Sequence, residues 1–264
     1  MSAEARQRQI LEAVEAHKQV GLADLQRLTG ASAATIRRDL QVLEEQRLVL
    51  RVHGGAIEIP GEPSVPEKSR THVAEKMAIG RLAVSHIQDA EVVLLDAGTT
   101  TGAITRELTR FHQITVVTNA VNILVALLPF DSFEVIMLGG VLRPMNQAVM
   151  GSLTEDNLRH IRPDRAFMGA YGVNLESRSL VSPTLAQAYL KGAMMKAARH
   201  VYVVADHTKL EEPRYGFVTP LPDDATLLID DRITARQQQR LEASGLAFCL
   251  APTGPQGGGP PDAG

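Results

Sequence analysis

The sequence predicts a multi-domain α/β protein: a small helical domain ending in a β-hairpin, then a larger α/β domain with a mainly parallel sheet. Three observations carry this reading. Apolar residues recur at helical spacing up to about residue 59. A stretch with three prolines, "PGEPSVPE" at 60–67, then interrupts every period, as a linker does. Beyond it, seven short, largely apolar runs alternate with helical patterns, the grammar of βα units.

Composition bounds the function. The 264 residues are enough to bury a core in each domain, and 44% hydrophobic with 22% charged residues is an ordinary globular composition. No apolar run approaches the roughly 18 to 20 residues of a membrane helix, and "MSAEARQRQ" has no signal-peptide core. A cytoplasmic protein with no membrane partner is therefore expected. Cys249 is the single cysteine and reads as a core-strand thiol in "LAFCLA". A net charge of −3 argues against nucleic-acid binding over the whole surface, while leaving room for a local basic patch.

In the first domain, 1–59, a helix is expected at 3–16, with Ile10, Leu11 and Val14 inward and "KQVG" ending it. A second helix takes 22–28, where Leu22, Leu25 and Leu28 repeat. Gly30 closes it, Ser32 caps the next, and Ile36, Leu40 and Leu43 fix the inner face of that third helix. Its outer face then carries Thr35, Arg37, Arg38 and Gln41. After Gln46 the chain becomes extended, with "LVLRV" and "AIEI" flanking "HGG" in a hairpin.

Helix, turn, helix and wing form a winged helix-turn-helix, a fold that reads the major groove, so double-stranded operator DNA is the expected partner. The expected contacts are Ser32, Thr35, Arg37, Arg38 and Gln41 on the recognition helix, with Arg51, His53 and Gly54 on the wing. One bidentate arginine contributes about 1–3 kcal/mol of base discrimination. Residues 1–59 carry eight Lys/Arg against eight Asp/Glu, so this domain is neutral. One copy should bind modestly, and a homo-oligomer, dimer or tetramer, reading two half-sites is expected. Asp39 beside Arg38 reads as structural.

"TIRRDLQVLEEQRLVLRVHGGA" resembles the signature of the DeoR family of bacterial transcriptional regulators. It departs at Arg47, where the family commonly has glycine. The resemblance continues through "EKMAIG", "LDAGTTT", "VTNA", "MLGGVLR", "FMGAYGV" and "VADHTK" to about residue 250. It implies a ligand-sensing domain at 68–250 whose fold resembles ribose-5-phosphate isomerase. The Gly/Pro-rich segment 251–264 is expected to be a disordered tail.

Within 68–250, strands are read at 92–96, 114–118, 133–138, 165–168, 201–205, 227–230 and 247–250. Asp96, Gly98, Thr99, Thr100 and Thr101 lie where the first of these meets a helix, a place where open α/β sheets collect ligands. "VTNA" adds Thr118 and Asn119 at a second strand end, and "LGG" adds Gly139 and Gly140 at a third. With Lys191, Asp206 and Lys209 also available, the rim reads as a site for a phosphorylated sugar effector. Backbone amides and lysine would take the phosphate, and Asp96 and Asn119 the hydroxyls. Tyr171 is expected to shape ligand choice. No cofactor is expected, and the eight scattered histidines show no metal-ligand spacing.

The rival reading is a sugar-phosphate isomerase-like enzyme with an appended DNA-binding domain. Aldose–ketose isomerisation needs a carboxylate base at the reacting carbon. The acidic stretch of the isomerases corresponds here to "FMGAYGVN", where Met168, Tyr171 and Gly172 stand in place of the carboxylates. The sequence therefore favours a non-enzymatic regulator without catalytic residues: a repressor of a carbohydrate or polyol utilisation operon, relieved by a phosphorylated sugar. A second departure from the family is Gln187, where glutamate is usual, four residues before Lys191. A third possibility is an α/β domain that serves only to oligomerise.

Overall fold

A computed structural model describes residues 2–17, 19–45, 49–52, 54–58, 63–210 and 216–254. The chain divides into two compact units, 1–62 and 63–264.

The first unit contains α1 (Ala3–His17), β1 (Gln19–Gly21), α2 (Leu22–Thr29), α3 (Ala33–Glu45), β2 (Val49–Val52) and β3 (Gly55–Glu58). Ile10, Val14, Leu25, Ile36, Leu40 and Leu43 are buried together, so the apolar stripes of the three helices meet in one core. Gly30 ends α2 in the left-handed conformation, φ 68°, its N–H returning to the Gln26 carbonyl. Ser32 Oγ accepts the Thr35 N–H at 3.2 Å and closes the first turn of α3. One strand was not anticipated. Gln19–Gly21, read from the sequence as the end of the first helix, pairs antiparallel with β3 and completes a sheet of order β1-β3-β2. Three residues are too few to show a period. Gly55 permits the pairing, since a Cβ there would lie 2.2 Å from the Val20 carbonyl oxygen. His53 and Arg47, both singled out from the sequence, lie outside the described residues.

The second unit begins with a correction to the expected linker. From inside 60–67 and one residue past it, Val65–Lys68 forms a helical turn, α4, with Val65 buried. Ser64 and Glu67 close a capping box around it, a signature that three prolines obscured. There follow α5 (Val73–Val84), β4 (Val92–Leu95), α6 (Thr99–Thr105), β5 (Ile114–Thr118), α7 (Val121–Leu127) and β6 (Phe133–Met137). Then come β7 (Val141–Arg143), β8 (Ala148–Met150), α8 (Ser152–Leu158), β9 (Arg165–Gly169), β10 (Gly172–Asn174), β11 (Ser179–Ser182) and α9 (Leu185–Ala197). The unit closes with β12 (His200–Ala205), β13 (Phe217–Pro220), β14 (Thr226–Asp230), α10 (Ala235–Ser244) and β15 (Ala247–Ala251).

The seven strands read from the sequence form one sheet, order β15-β14-β12-β9-β4-β5-β6, with every pair parallel. Successive side chains feed opposite faces. On β4, Val93 and Leu95 pack with Ile79 of α5 and Ile104 of α6, while Leu94 packs into the core shared with Met194 and Met195 of α9. Both faces are covered, as a parallel sheet requires.

From β4 the chain proceeds through β5 to β6 on one side, then returns to β9 on the other and continues outward through β12, β14 and β15. That reversal between β4 and β9 is a topological switch point, and open α/β sheets bind ligands beyond the carboxyl ends of the strands at such a point. Two antiparallel pieces were not legible in the sequence: the hairpin β7–β8 and the sheet β10-β11-β13. The expected tail also starts too early. β15 runs through buried Ala251, which pairs with Asp230, and the N–H and hydroxyl of Thr253 both donate to Asp231. Residues 255–264 lie outside the described residues. Among the described residues no helix is long and apolar enough to cross a membrane.

Candidate functional site

Two surfaces carry the residues singled out above, one in each unit. In the first unit, burial of Ile36, Leu40 and Leu43 turns Arg37, Arg38 and Gln41 to the exposed side of α3. Ser32 is exposed at the start of the helix, its Oγ 2.9 Å from that of half-buried Thr35. Asp39 faces the other way. It is buried and receives both Nε and Nη2 of Arg6 from α1, at 2.5 and 3.1 Å, with Gln7 Nε2 at 3.2 Å. The carboxylate thus ties α3 to α1 and holds the Arg6 guanidinium above its ordinary pKa, chiefly through the hydrogen bond.

On the wing, the N–H of exposed Arg51 donates to the Glu44 carboxylate at 3.1 Å and its guanidinium lies 3.5 Å from it. The contact links β2 to the end of α3. Gly54, exposed at φ 92°, occupies the tight turn into β3.

In the second unit, Asp96 sits just beyond β4, at the switch point. Its Oδ1 accepts the Ala97 N–H at 2.8 Å; its Oδ2 accepts the Gly169 N–H at 3.1 Å and the ammonium of Lys191. Lys191 Nζ also donates to the Gly169 carbonyl at 2.7 Å. Two of its three donors are thus committed within the protein, and the β4 and β9 ends are pinned to α9.

Gly98 precedes α6, whose first turn is Thr99, Thr100 and Thr101; the amides of a helix's first turn have no partner inside the helix. Thr101 Oγ donates to the Gly98 carbonyl at 3.1 Å. Thr118 is wholly structural in its hydrogen bonding: its hydroxyl donates to the Leu95 carbonyl at 2.7 Å and accepts from the Ala120 N–H at 3.1 Å.

Asn119 differs. Its Nδ2 donates to the Val149 carbonyl at 3.1 Å, which fixes the orientation of the amide, and its buried Oδ1 has no partner among the described residues. An orphaned buried acceptor costs about 1–3 kcal/mol and calls for an explanation. Asn122, in the first turn of α7 and missed in the sequence, also carries a buried Oδ1 without a partner among the described residues.

The predicted rim is wider than one small ligand. From β6, which leads to Gly139 and Gly140, to β12, which leads to Asp206, is four strand spacings, about 19 Å. Gly139 is fastened to α8, its N–H donating to Asn157 and its carbonyl accepting from Thr154. Gly140, at φ 146°, leaves no room for a side chain, because a Cβ would lie 2.2 Å from Thr154 Oγ. These two glycines support the rim.

At the opposite end, Asp206 Oδ1 accepts the N–H and hydroxyl of Thr208, while its buried Oδ2 has no partner among the described residues. Half-buried Lys209 follows on the 3-10 turn His207–Leu210, and Tyr171 is half-buried just beyond β9.

Lys76 was missed within "EKMAIG". It is buried on α5 and donates to the carbonyls of Lys68 and Thr71 at 2.5 and 2.7 Å. Burial pulls its ammonium below the ordinary lysine range, while the Asp206 charge acts in the opposite direction. His207 Nδ1 lies 2.9 Å from Asp230, and its ring meets that of His72 edge-on at 5.5 Å.

Gln187 closes a capping box with Thr184 at the start of α9, with Oε1 3.2 Å from the Thr184 N–H. In "FMGAYGVN", Met168 is a fully buried core side chain. Among the described residues no cluster of His, Cys, Asp and Glu could hold a metal ion.

Comparison with known proteins matches residues 6–60 to the DeoR-like helix-turn-helix domain and residues 71–232 to the DeoR C-terminal sensor domain. The chain is 32% identical to the glycerol-3-phosphate regulon repressor of Escherichia coli (strain K12), covering 76% of this chain and 80% of that protein. To the HTH-type transcriptional repressor GlcR of Bacillus subtilis (strain 168) it is 32% identical, over 85% and 86%. To the HTH-type transcriptional regulator GlpR of Haloferax volcanii it is 31% identical, over 91% and 95%. A solved ribose 5-phosphate isomerase A from Methanocaldococcus jannaschii aligns with TM-score 0.38 and 16% identity, over 51% of this chain and 52% of that one, too low a likeness to bear on activity.

Proposed function

This chain belongs to the DeoR family of DNA-binding transcriptional regulators, and on that premise we propose that it represses a carbohydrate or polyol utilisation operon and is released by a phosphorylated sugar. It acts as a homo-oligomer in the cytoplasm. Arg37, Arg38 and Gln41 read bases, and Ser32, Thr35, Arg51, His53 and Gly54 hold the backbone.

The observation that carries the effector class is the unpartnered Asn119 Oδ1, just beyond the carboxyl end of β5 and next to β4. It is an acceptor locked in orientation, so it calls for a hydroxyl donor. One strand spacing away, the first-turn amides of α6 supply donors suited to an anion. A ligand with hydroxyls at one end and phosphate at the other satisfies both, with Asp96 and Lys191 holding the floor and Tyr171 at the side. Asp206 and Lys209 serve a longer ligand. The relative named as the glycerol-3-phosphate regulon repressor supports a phosphorylated polyol setting.

Coupling is a matter of differential affinity: a hundredfold loss of operator binding needs about 2.7 kcal/mol. A thermal-shift screen pairing each sugar phosphate with its unphosphorylated sugar tests the ligand class. At 100 times its dissociation constant a specific ligand adds about 2.7 kcal/mol of stability. Stabilisation by a phosphorylated member alone is the expected result; stabilisation by free sugars alone contradicts the reading.

A further inference from the structure

The hairpin β7–β8, which follows the edge strand β6, is built asymmetrically: β8 is buried along its length and β7 is exposed along its length. Neighbouring residues of a strand point to opposite faces, so an ordinary surface strand hides every second side chain. Here Val141 is 72% exposed and Leu142 50%, and Met145, past Arg143, is 57% exposed. Leu153 of α8 is 58% exposed and lies against the turn that precedes β7, its Cδ2 3.5 Å from where a Cβ on Gly139 would be. Among the described residues β7 pairs only with β8, so its other edge presents unpaired backbone groups.

The four apolar side chains expose on the order of 400 Å² together. That is the apolar core of one side of a standard interface, which buries about 800 Å² per partner and is a little over half apolar. The surrounding charges have both signs: Arg143 is exposed at the end of β7, and on α8 exposed Asp156 lies 3.5 Å from Arg159, a solvent-exposed pair that leaves the carboxylate accessible to a second arginine. A short strand with a free edge meets its own copy antiparallel about a two-fold axis, Leu142 opposite Leu142, which carries each Arg143 toward the acidic α8 of the other copy. A neutral helix-turn-helix unit also needs a second copy to reach useful operator affinity.

We propose that the β7 hairpin and the start of α8 form an isologous interface with a second copy of this chain. The proposal deepens the homo-oligomer reading above, and its test uses neither operator nor effector, so its failure leaves the regulatory reading intact. The full chain is sedimented alongside Leu142→Glu, Arg143→Asp and the swap Arg143→Asp with Asp156→Arg. Far-UV circular dichroism checks that each exposed substitution leaves the fold in place. The proposal expects Leu142→Glu to raise the dissociation constant about 100-fold, as loss of a central anchor does. Arg143→Asp should weaken assembly and the swap restore it. A wild-type chain that is monomeric at tens of micromolar, a Leu142→Glu chain of unchanged mass, or a swap that restores nothing each overturns it.

Discussion

Asp96 and Lys191, 95 residues apart, form a buried ion pair across the β4–β9 switch point, with the Gly169 N–H and carbonyl bonded to the same two side chains. The pair holds together three elements: the end of β4, the end of β9 and the second turn of α9.

Removing one partner strands the other as a buried charge. Lys191→Met or Asp96→Asn alone should destabilise the fold by about 3–5 kcal/mol, while the double variant should cost less than the sum. Urea unfolding of the three variants measures this. Strict additivity would mean that the two side chains do not depend on each other.

Asn119→Ala separates ligand binding from stability. The substitution removes an orphan acceptor together with one hydrogen bond to Val149, so the fold should lose no more than about 1.5 kcal/mol. Affinity for the stabilising sugar phosphate should fall at least tenfold, because about 1.4 kcal/mol per lost hydroxyl contact is a factor of ten. Unchanged affinity in a calorimetric titration would remove Asn119 from the ligand.

On the DNA face, Arg37→Ala should cost about 1–3 kcal/mol of operator affinity and relax sequence preference at one position if the side chain reads a base. Asp39→Ala should behave differently, lowering thermal stability by releasing Arg6 from α3 while leaving the ranking of operator variants unchanged. A changed ranking for Asp39→Ala would place that carboxylate at the DNA.

Between pH 7.5 and 5.5, His86 is an assignable contributor to the effect of acid on stability. Burial, reinforced by the Arg165 charge, pushes the His86 pKa below its ordinary 6.5. The unfolded chain therefore binds a proton before the folded chain does, and stability falls as pH drops below about 6.5. His86→Gln should flatten that part of the pH profile in guanidinium melts between pH 7.5 and 5.5; an unaltered slope would contradict the assignment.

Much of this was legible in the sequence, for physical reasons. Strands covered by helices show as short apolar runs between helical patterns, so the seven sheet strands stood out. β1, β7, β8 and β10 have three residues each and no readable period. The cradle showed as glycine and threonine after a strand, but the Asp96–Lys191 pairing depends on a long-range fold that local spacing cannot encode. Lys76 was passed over because its partners are carbonyls, which leave no trace in residue identity. The Thr184–Gln187 capping box was readable as Thr-x-x-Gln, yet Gln187 was read only as a departure from the family's glutamate.

The central claim is that a phosphorylated sugar bound at the switch point releases DNA. Operator fragments selected from random DNA by the protein itself allow a direct measurement: a gel-shift titration with the sugar phosphate that stabilises the protein, its unphosphorylated form in parallel. Operator affinity should fall about 100-fold with the phosphorylated ligand and stay unchanged with the free sugar. An operator complex indifferent to every phosphorylated sugar, or released by the free sugar alone, contradicts it.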